Sequence, residues 1–184
     1  MKYDAIVFDI DGTLMDIDHR RHFVEGETKD WKSFISHTVY DIPNTPVANV
    51  MSFLNTDYNN IFFLTGRKES QRDITIKQIE DCGYNYLNQG ALSPRDDYLD
   101  SIKVGTKYDP NERRYHYSEI LLMRPDDDYR PDAELKSDLY DKLVGLHEIL
   151  FKSYDTIIFD DRQSVVDMWR ARGLTCFQVA EGDF

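Results

Sequence analysis

Five short apolar runs, each bounded by turn residues and separated by stretches of helical periodicity, leave this chain few folds to choose from. They are Ala5-Ile6-Val7-Phe8, Ile61-Phe62-Phe63-Leu64, Ile120-Leu121-Leu122-Met123, Thr156-Ile157-Ile158-Phe159 and Thr175-Cys176-Phe177-Gln178-Val179. Runs of this length and hydrophobicity read as buried strands. Between them, Val47, Val50, Met51 and Leu54 follow Thr45-Pro46 at helical spacing, with Pro suited to a helix start. A second helix is expected from Glu69 to Cys82, stopped by Gly83. A third opens at Pro131-Asp132 with the face Leu135, Leu139, Leu143, Leu146 and Leu150, and places Lys136 in its first turn. Val165, Val166, Met168 and Trp169 make another, ended by Gly173. Strands alternating with helices imply an α/β fold: a Rossmann-like, mostly parallel sheet with helices on both faces.

A chain of 184 residues suits one domain, 1–184. Behind Thr28 and Asp30, either of which can cap a helix, Trp31, Phe34, Ile35 and Thr38 fall at helical spacing. Residues 16–44 are thus expected to form a small helical cap insertion. Residues 84–117 are polar, with Pro and Asp, and are expected to make an irregular excursion. No apolar run is long enough to span a bilayer, so no membrane partner is expected. Met1-Lys2-Tyr3-Asp4 runs straight into the first strand, so a leader is not expected either. Two cysteines far apart make no disulfide framework, and a cytoplasmic location is expected. The net charge of −12 excludes a surface built to wrap long nucleic acid, but permits a local pocket for one phosphate or one nucleic-acid end.

The first strand runs into Asp9-Ile10-Asp11-Gly12-Thr13-Leu14. Along an extended chain Asp9 and Asp11 point the same way, from the strand end where open α/β sheets bind ligands. Thr65 and the pair Asp160-Asp161 follow the second and fourth strands, and Lys136 lies at a helix start, so all can converge on one sheet edge. Carboxylates alone suit a hard cation such as Mg²⁺, and a lysine and a hydroxyl facing it suit a phosphoryl group. Asp9 is then placed as a nucleophile on phosphorus and Asp11 as the proton partner. Arg20 and Arg67 stand beside these positions as candidate substrate contacts. Each has a plainer reading: Thr65 as a strand-end hydroxyl, Lys136 as a solvated helix residue, Asp160-Asp161 as a helix cap, the arginines as surface charges. His19-x-x-His22 reads as solvated or cap-forming, and Asp126 to Asp128 as a solvated turn. The functional case rests on the conjunction.

These residues resemble the haloacid dehalogenase (HAD) superfamily of phosphotransferases. Asp9-Ile10-Asp11-Gly12-Thr13 is similar to its first motif, Thr65 to its second, Lys136 to its third and Asp160-Asp161 to its fourth. The resemblance implies an aspartyl-phosphate on Asp9 and general acid/base work by Asp11. It implies Mg²⁺ held by Asp9, by the backbone carbonyl of Asp11 and by an Asp of the fourth motif; Asp9, Asp11, Asp160 and Asp161 are the candidate metal residues. The segments Asp160-Asp161-Arg162, Val165-Val166-x-Met168-Trp169-Arg170 and Cys176 to Phe184 resemble the 3′-phosphatase domain of bacteriophage polynucleotide kinase-phosphatase and its relatives, as do Leu122-Met123-Arg124-Pro125 and Arg130-Pro131-Asp132. That closer resemblance implies substrate-binding or supporting roles for Arg20, Gly66, Arg67 and Asp132, a phosphorylated nucleic-acid end or nucleotide as substrate, and a bacterial or phage-infected cytoplasm. No G-x-x-x-x-G-K-[ST] loop occurs, so no ATP-binding kinase half is expected. The expected function is a Mg²⁺-dependent polynucleotide 3′-phosphatase; a 5′-nucleotidase or small-metabolite phosphatase is the alternative. A phospho-receiver is disfavoured by the order of its motifs, and a silent binding module by the completeness of the site. The oligomeric state is left open.

Overall fold

The structure, a computed structural model, describes residues 5–55, 60–84, 120–147 and 155–182. The expected excursion at 84–117 lies outside them apart from Tyr84, as does Leu150. Strand β1 (Ala5–Phe8) is apolar throughout and wholly buried, which fits it for the middle of a sheet covered on both sides. Around it stand β4 (Asn60–Lys68), β5 (Leu121–Arg124), β6 (Thr156–Arg162) and β7 (Thr175–Gly182), in the order β5-β4-β1-β6-β7. Every pairing in this sheet is parallel, so the expected α/β class is the observed one. Two short strands, β2 (Met15–Asp16) and β3 (Ile42–Pro43), form a separate antiparallel pair.

The helices are α1 (Asp18–Arg21), α2 (Trp31–Ser36), α3 (Thr45–Leu54), α4 (Arg72–Asp81), α5 (Asp132–Leu146) and α6 (Gln163–Ala171). The chain steps from β1 outward to β4 and β5, then returns to β6 and β7 on the other side of β1. Right-handed crossovers therefore put α3 and α4 on one face and α5 and α6 on the other. The reversal at β1 opens a crevice at the carboxyl ends of β4, β1 and β6, the ligand position of such sheets. β2 and β3 bracket α1, α2 and a 3₁₀ turn at Thr38–Tyr40, so residues 15–43 form a small helical insert beside that crevice. Of the two candidate caps, Asp30 serves: its side chain accepts the Ser33 N–H at 2.9 Å.

The elements depart from the sequence reading at several points. Strands β4 and β6 continue past their apolar runs, so Thr65 and Asp160-Asp161 lie inside them. Both ladders shift register there, between Thr65 and Lys68 and between Asp160 and Arg162, and such bulges re-aim side chains beside ligand sites. The helix expected from Glu69 to Cys82 divides into a 3₁₀ turn, Glu69–Gln71, and α4. Lys136 falls one turn into α5 rather than in its first turn. On α5, Leu135, Leu139 and Leu143 are buried as expected, but Leu146 in the last turn is 55% exposed. Gly83 takes the expected left-handed conformation (φ 86°) after α4.

An aromatic stack runs across β1, β6 and β7 from the buried Phe8 to the exposed Phe177. The Phe8 ring stacks on Phe159 with centroids 4.6 Å apart, and Phe159 stacks on Phe177 at 5.4 Å. Trp169 of α6 is fully buried and meets Tyr140 of α5 edge-on. Among the described residues no helix is long and apolar enough to cross a membrane.

Phe8 is fully buried in the central strand, one residue before Asp9. Phe8→Ala is expected to lower stability in urea unfolding by about 3–5 kcal/mol. A loss below about 1 kcal/mol would show that the strand is not packed as described.

Candidate active site

Asp9 sits where β1 ends, its N–H donating to Phe159 O at 3.0 Å, so the sheet ladder itself sets its position. Asp160 and Asp161 lie side by side on β6. One oxygen each from Asp9, Asp160 and Asp161 fall within 4.8 Å of one another, and all three residues are buried. Lys136 enters from α5, its Nζ 2.8 Å from Asp9 Oδ1 and 2.9 Å from Asp160 Oδ2. The Trp169 indole N–H also donates to Asp160 Oδ2, at 3.4 Å.

The electrostatics follow from burying so much like charge. Burial pushes the Asp9 carboxyl well above the usual carboxylate range; Lys136 opposes this, and Asp160 and Asp161 add to it. Burial likewise pushes Asp161 up to about 6, with Lys136 opposing and Asp160 adding. For Lys136 burial acts downward, but Asp160 and Asp9 outweigh it and raise its proton affinity, so it stays an ammonium. One ammonium does not neutralise three carboxylates. Asp161 Oδ2 is buried without a hydrogen-bond partner, and Arg21 Nη2 stands 3.6 Å away. That carboxylate lies against Gly12 and Gly182, where any Cβ would collide with it. Gly12 is also in the left-handed region (φ 84°), so both its backbone and its neighbour require glycine. An oxygen-only donor set, an orphaned buried oxygen and excess negative charge together fit a hard divalent cation.

Asp11 belongs to a different arrangement. Its Oδ1 accepts from Arg20 Nη2 at 2.7 Å and from Arg67 Nη2 at 2.6 Å and Nε at 2.8 Å. Both arginines are buried and share a second carboxylate, Asp41, which accepts from Arg20 Nε and Nη2 at 2.6 Å and from Arg67 Nη2 at 2.8 Å. Thr75 and Gln78 of α4 accept from the remaining Arg67 nitrogen, Nη1. Burial acts to raise the Asp11 pKa, but Arg67 and then Arg20 outweigh it and hold the group at about 2. The Asp11 carboxylate therefore stands outside the Asp9, Asp160 and Asp161 cluster. The extended chain ends at Phe8, and Asp9 and Asp11, though both line one cleft, take different partners. The next residues form a tight turn, closed by Met15 N–H to Ile10 O at 2.8 Å and Gly12 N–H to Met15 O at 2.9 Å.

Thr65 is buried, and its Oγ1 accepts the Arg67 N–H at 3.2 Å. Asp132 lies against Gly66, where a Cβ would collide with its Oδ1. That oxygen accepts from Arg124 Nη2 at 2.7 Å, and Asp132 Oδ2 is 3.3 Å from Arg162 Nη1. Arg124 Nε also donates to Gly66 O at 3.0 Å. Of the residues singled out from sequence, all but Thr65 and Asp160 line one cleft of about 590 Å³; those two are buried behind it.

Asp41 and Arg124 are among the participants that the sequence did not single out. Asp41 comes from the end of the insert, between the 3₁₀ turn and β3, and no local pattern distinguishes it. Arg124 ends β5 as Thr65 and Asp160 end their apolar runs, so the strand-end rule applied to the third run would have found it. Asp128, read as part of a solvated turn, pairs with Arg124 and Arg130 and lines the cleft. His19, read as solvated, lies 3.5 Å from Asp41.

The sequence model for the phosphatase domain of polynucleotide kinase PNKP matches residues 3–97 and 91–184. Among solved structures, the Pnkp1/Rnl/Hen1 RNA repair complex contains a chain 28% identical, with a TM-score of 0.61, the match covering 100% of this chain and 44% of that one. A second structure of the Pnkp1/Rnl/Hen1 complex matches at the same identity and TM-score, covering 98% of this chain and 47% of the other. This chain thus spans less than half the length of these two solved chains.

Asp41 is the one carboxylate that both buried arginines share with Asp11. Asp41→Ala is expected to lower stability by about 3 kcal/mol in urea unfolding, because it strips a buried charge of its partner. A change under about 1 kcal/mol would mean that Asp11 alone suffices to hold both guanidiniums.

Proposed function

Since this chain belongs to the family of polynucleotide kinase PNKP phosphatase domains, HAD-type phosphoric monoester hydrolases, we propose that it is a Mg²⁺-dependent phosphatase that removes 3′-phosphates from nucleic-acid ends through an aspartyl-phosphate on Asp9. The observation that carries the reading is Lys136 bridging Asp9 and Asp160 beside the orphaned Asp161 oxygen, on the wall of a cleft wide enough for a nucleotide.

The chemistry assigns each side chain a task. An Asp9 oxygen attacks phosphorus, forming the acyl-phosphate bond as the ester P–O bond breaks. Lys136 opposes the upward push of burial on Asp9 and faces the phosphoryl oxygens. Asp9, Asp160 and Asp161, with the Asp11 backbone carbonyl, would hold Mg²⁺, which supplies charge neutralisation for the phosphoryl group when bound. The Thr65 hydroxyl, whose oxygen accepts the Arg67 N–H, is assigned to donate to another phosphoryl oxygen. Asp11 protonates the leaving oxygen and later takes the proton of the attacking water. While Arg20 and Arg67 both hold it, Asp11 is a poor acid; a substrate phosphate that engages the arginines frees it to carry the proton. Arg124 and Arg162 orient Asp132 at the substrate side of Gly66.

Asp9→Asn and Asp11→Asn are each expected to cut phosphate release by roughly a hundredfold or more with the far-ultraviolet circular dichroism unchanged. Wild-type turnover in Asp9→Asn would remove the nucleophile assignment. Release from 3′-phosphorylated oligonucleotides is expected to exceed release from 5′-mononucleotides and sugar phosphates, to stop in EDTA and to return with Mg²⁺. Turnover of the mononucleotides alone sinks the 3′-end reading, and full activity in EDTA sinks the metal.

A further inference from the structure

The outer wall of the cleft carries groups that the chemistry at Asp9 does not use. The Arg20 guanidinium, paired with Asp11, lies 4.1 Å over the Phe34 ring. Phe34 meets Trp31 edge-on with centroids 5.8 Å apart, and the Lys29 ammonium stands 5.5 Å over Trp31. Cations and rings thus alternate from the buried Arg20 out to the surface of the insert. From another segment, the turn after β5, Tyr129 has the Lys68 ammonium 4.2 Å over its ring. Trp31 is 48% exposed and Tyr129 81%, yet both line the cleft that holds Asp9.

Charge selects what these rings receive. Eight Lys and Arg line the cleft against five Asp, in a chain whose net charge is −12. The cleft is a cationic patch on an acidic body, so an anion is drawn in and its footprint is confined. A small aliphatic phosphate would use the cations and leave both rings in water. A nucleotide strand uses both, since each base has a π face for a ring and each linkage a phosphate for a lysine.

We propose that Trp31 and Tyr129 are base platforms, on which the nucleobases at an unpaired 3′-phosphorylated end stack while Lys29 and Lys68 move to the adjoining phosphodiesters. The inference rests on the 3′-phosphatase reading above and adds to it the residues that recognise the base. A paired end offers its base faces to its own neighbours, so it must open before these rings can engage it.

The test compares phosphate release from a short 3′-phosphorylated single-stranded DNA with release from the same strand ending in an abasic residue. Wild-type protein is expected to favour the intact end by about tenfold in kcat/KM, chiefly through KM. Trp31→Ala and Tyr129→Ala are each expected to shrink that preference, and Trp31→Phe to restore much of it. Phe53→Ala removes an exposed ring of α3 that does not line the cleft and is expected to leave both rates at the wild-type level. A wild-type ratio near one overturns the proposal, as do alanine variants that keep the full ratio or lower both rates alike. All of these leave the phosphatase standing. No release from either end removes the 3′-phosphatase reading itself, and this inference with it.

Discussion

Three buried carboxylates within 4.8 Å of one another can share a site only if positive charge is brought to them, and the first of it comes from Lys136. That ammonium belongs to α5, a helix on the far side of a long crossover, so the charge balance at Asp9 depends on how α5 seats against the sheet. Leu135, Leu139 and Leu143 seat it, and Lys136 and Tyr140 share their buried face. Lys136 is thus a core position as well as a charge partner of Asp9 and Asp160. The hydrophobic packing fixes where the ammonium stands, and the carboxylates make its burial tolerable.

A second charge set stands beside the first. Arg20 and Arg67 hold Asp11 between themselves and Asp41, with Gln78, Thr75 and Phe34 around them. Dividing the acids between one lysine and two arginines separates their proton affinities. Burial dominates for Asp9 and Asp161, which rise, whereas the guanidiniums dominate for Asp11, which falls to about 2. Neighbouring aspartates thus enter with different protonation tendencies, the condition under which two like groups take different roles in one reaction. The insert is part of this arrangement, because it supplies Arg20, Asp41 and Phe34 to a site whose other members come from the sheet.

Global and local charge point in opposite directions in this molecule. A chain of net charge −12 repels polyanions over most of its surface, while the cleft concentrates lysine and arginine. Screening confines such a field to about 10 Å at ordinary ionic strength, so inside the cleft the nearby lysines and arginines outweigh the distant acidic surface.

The sequence by itself determined the sheet, most of the described helices and the residues that gather at the cleft, because those are short-range signals. Apolar runs are strands, and polar residues at their ends converge on one edge of a parallel sheet, as Asp9, Thr65 and Asp160-Asp161 do. Only the tertiary structure decided the partners. Asp11 follows Asp9 by two residues, yet Gly12 and the turn to Met15 send its carboxylate to the arginines instead of the cluster. Asp41 joins Arg20 and Arg67 across 21 and 26 residues, and no local pattern marks such a pairing. Arg124 and Asp132 meet across eight residues, where the turn between β5 and α5 brings a strand end and a helix start together. Periodicity and motif order are written along the chain, whereas which buried charge neutralises which depends on distances that exist only once the chain is folded.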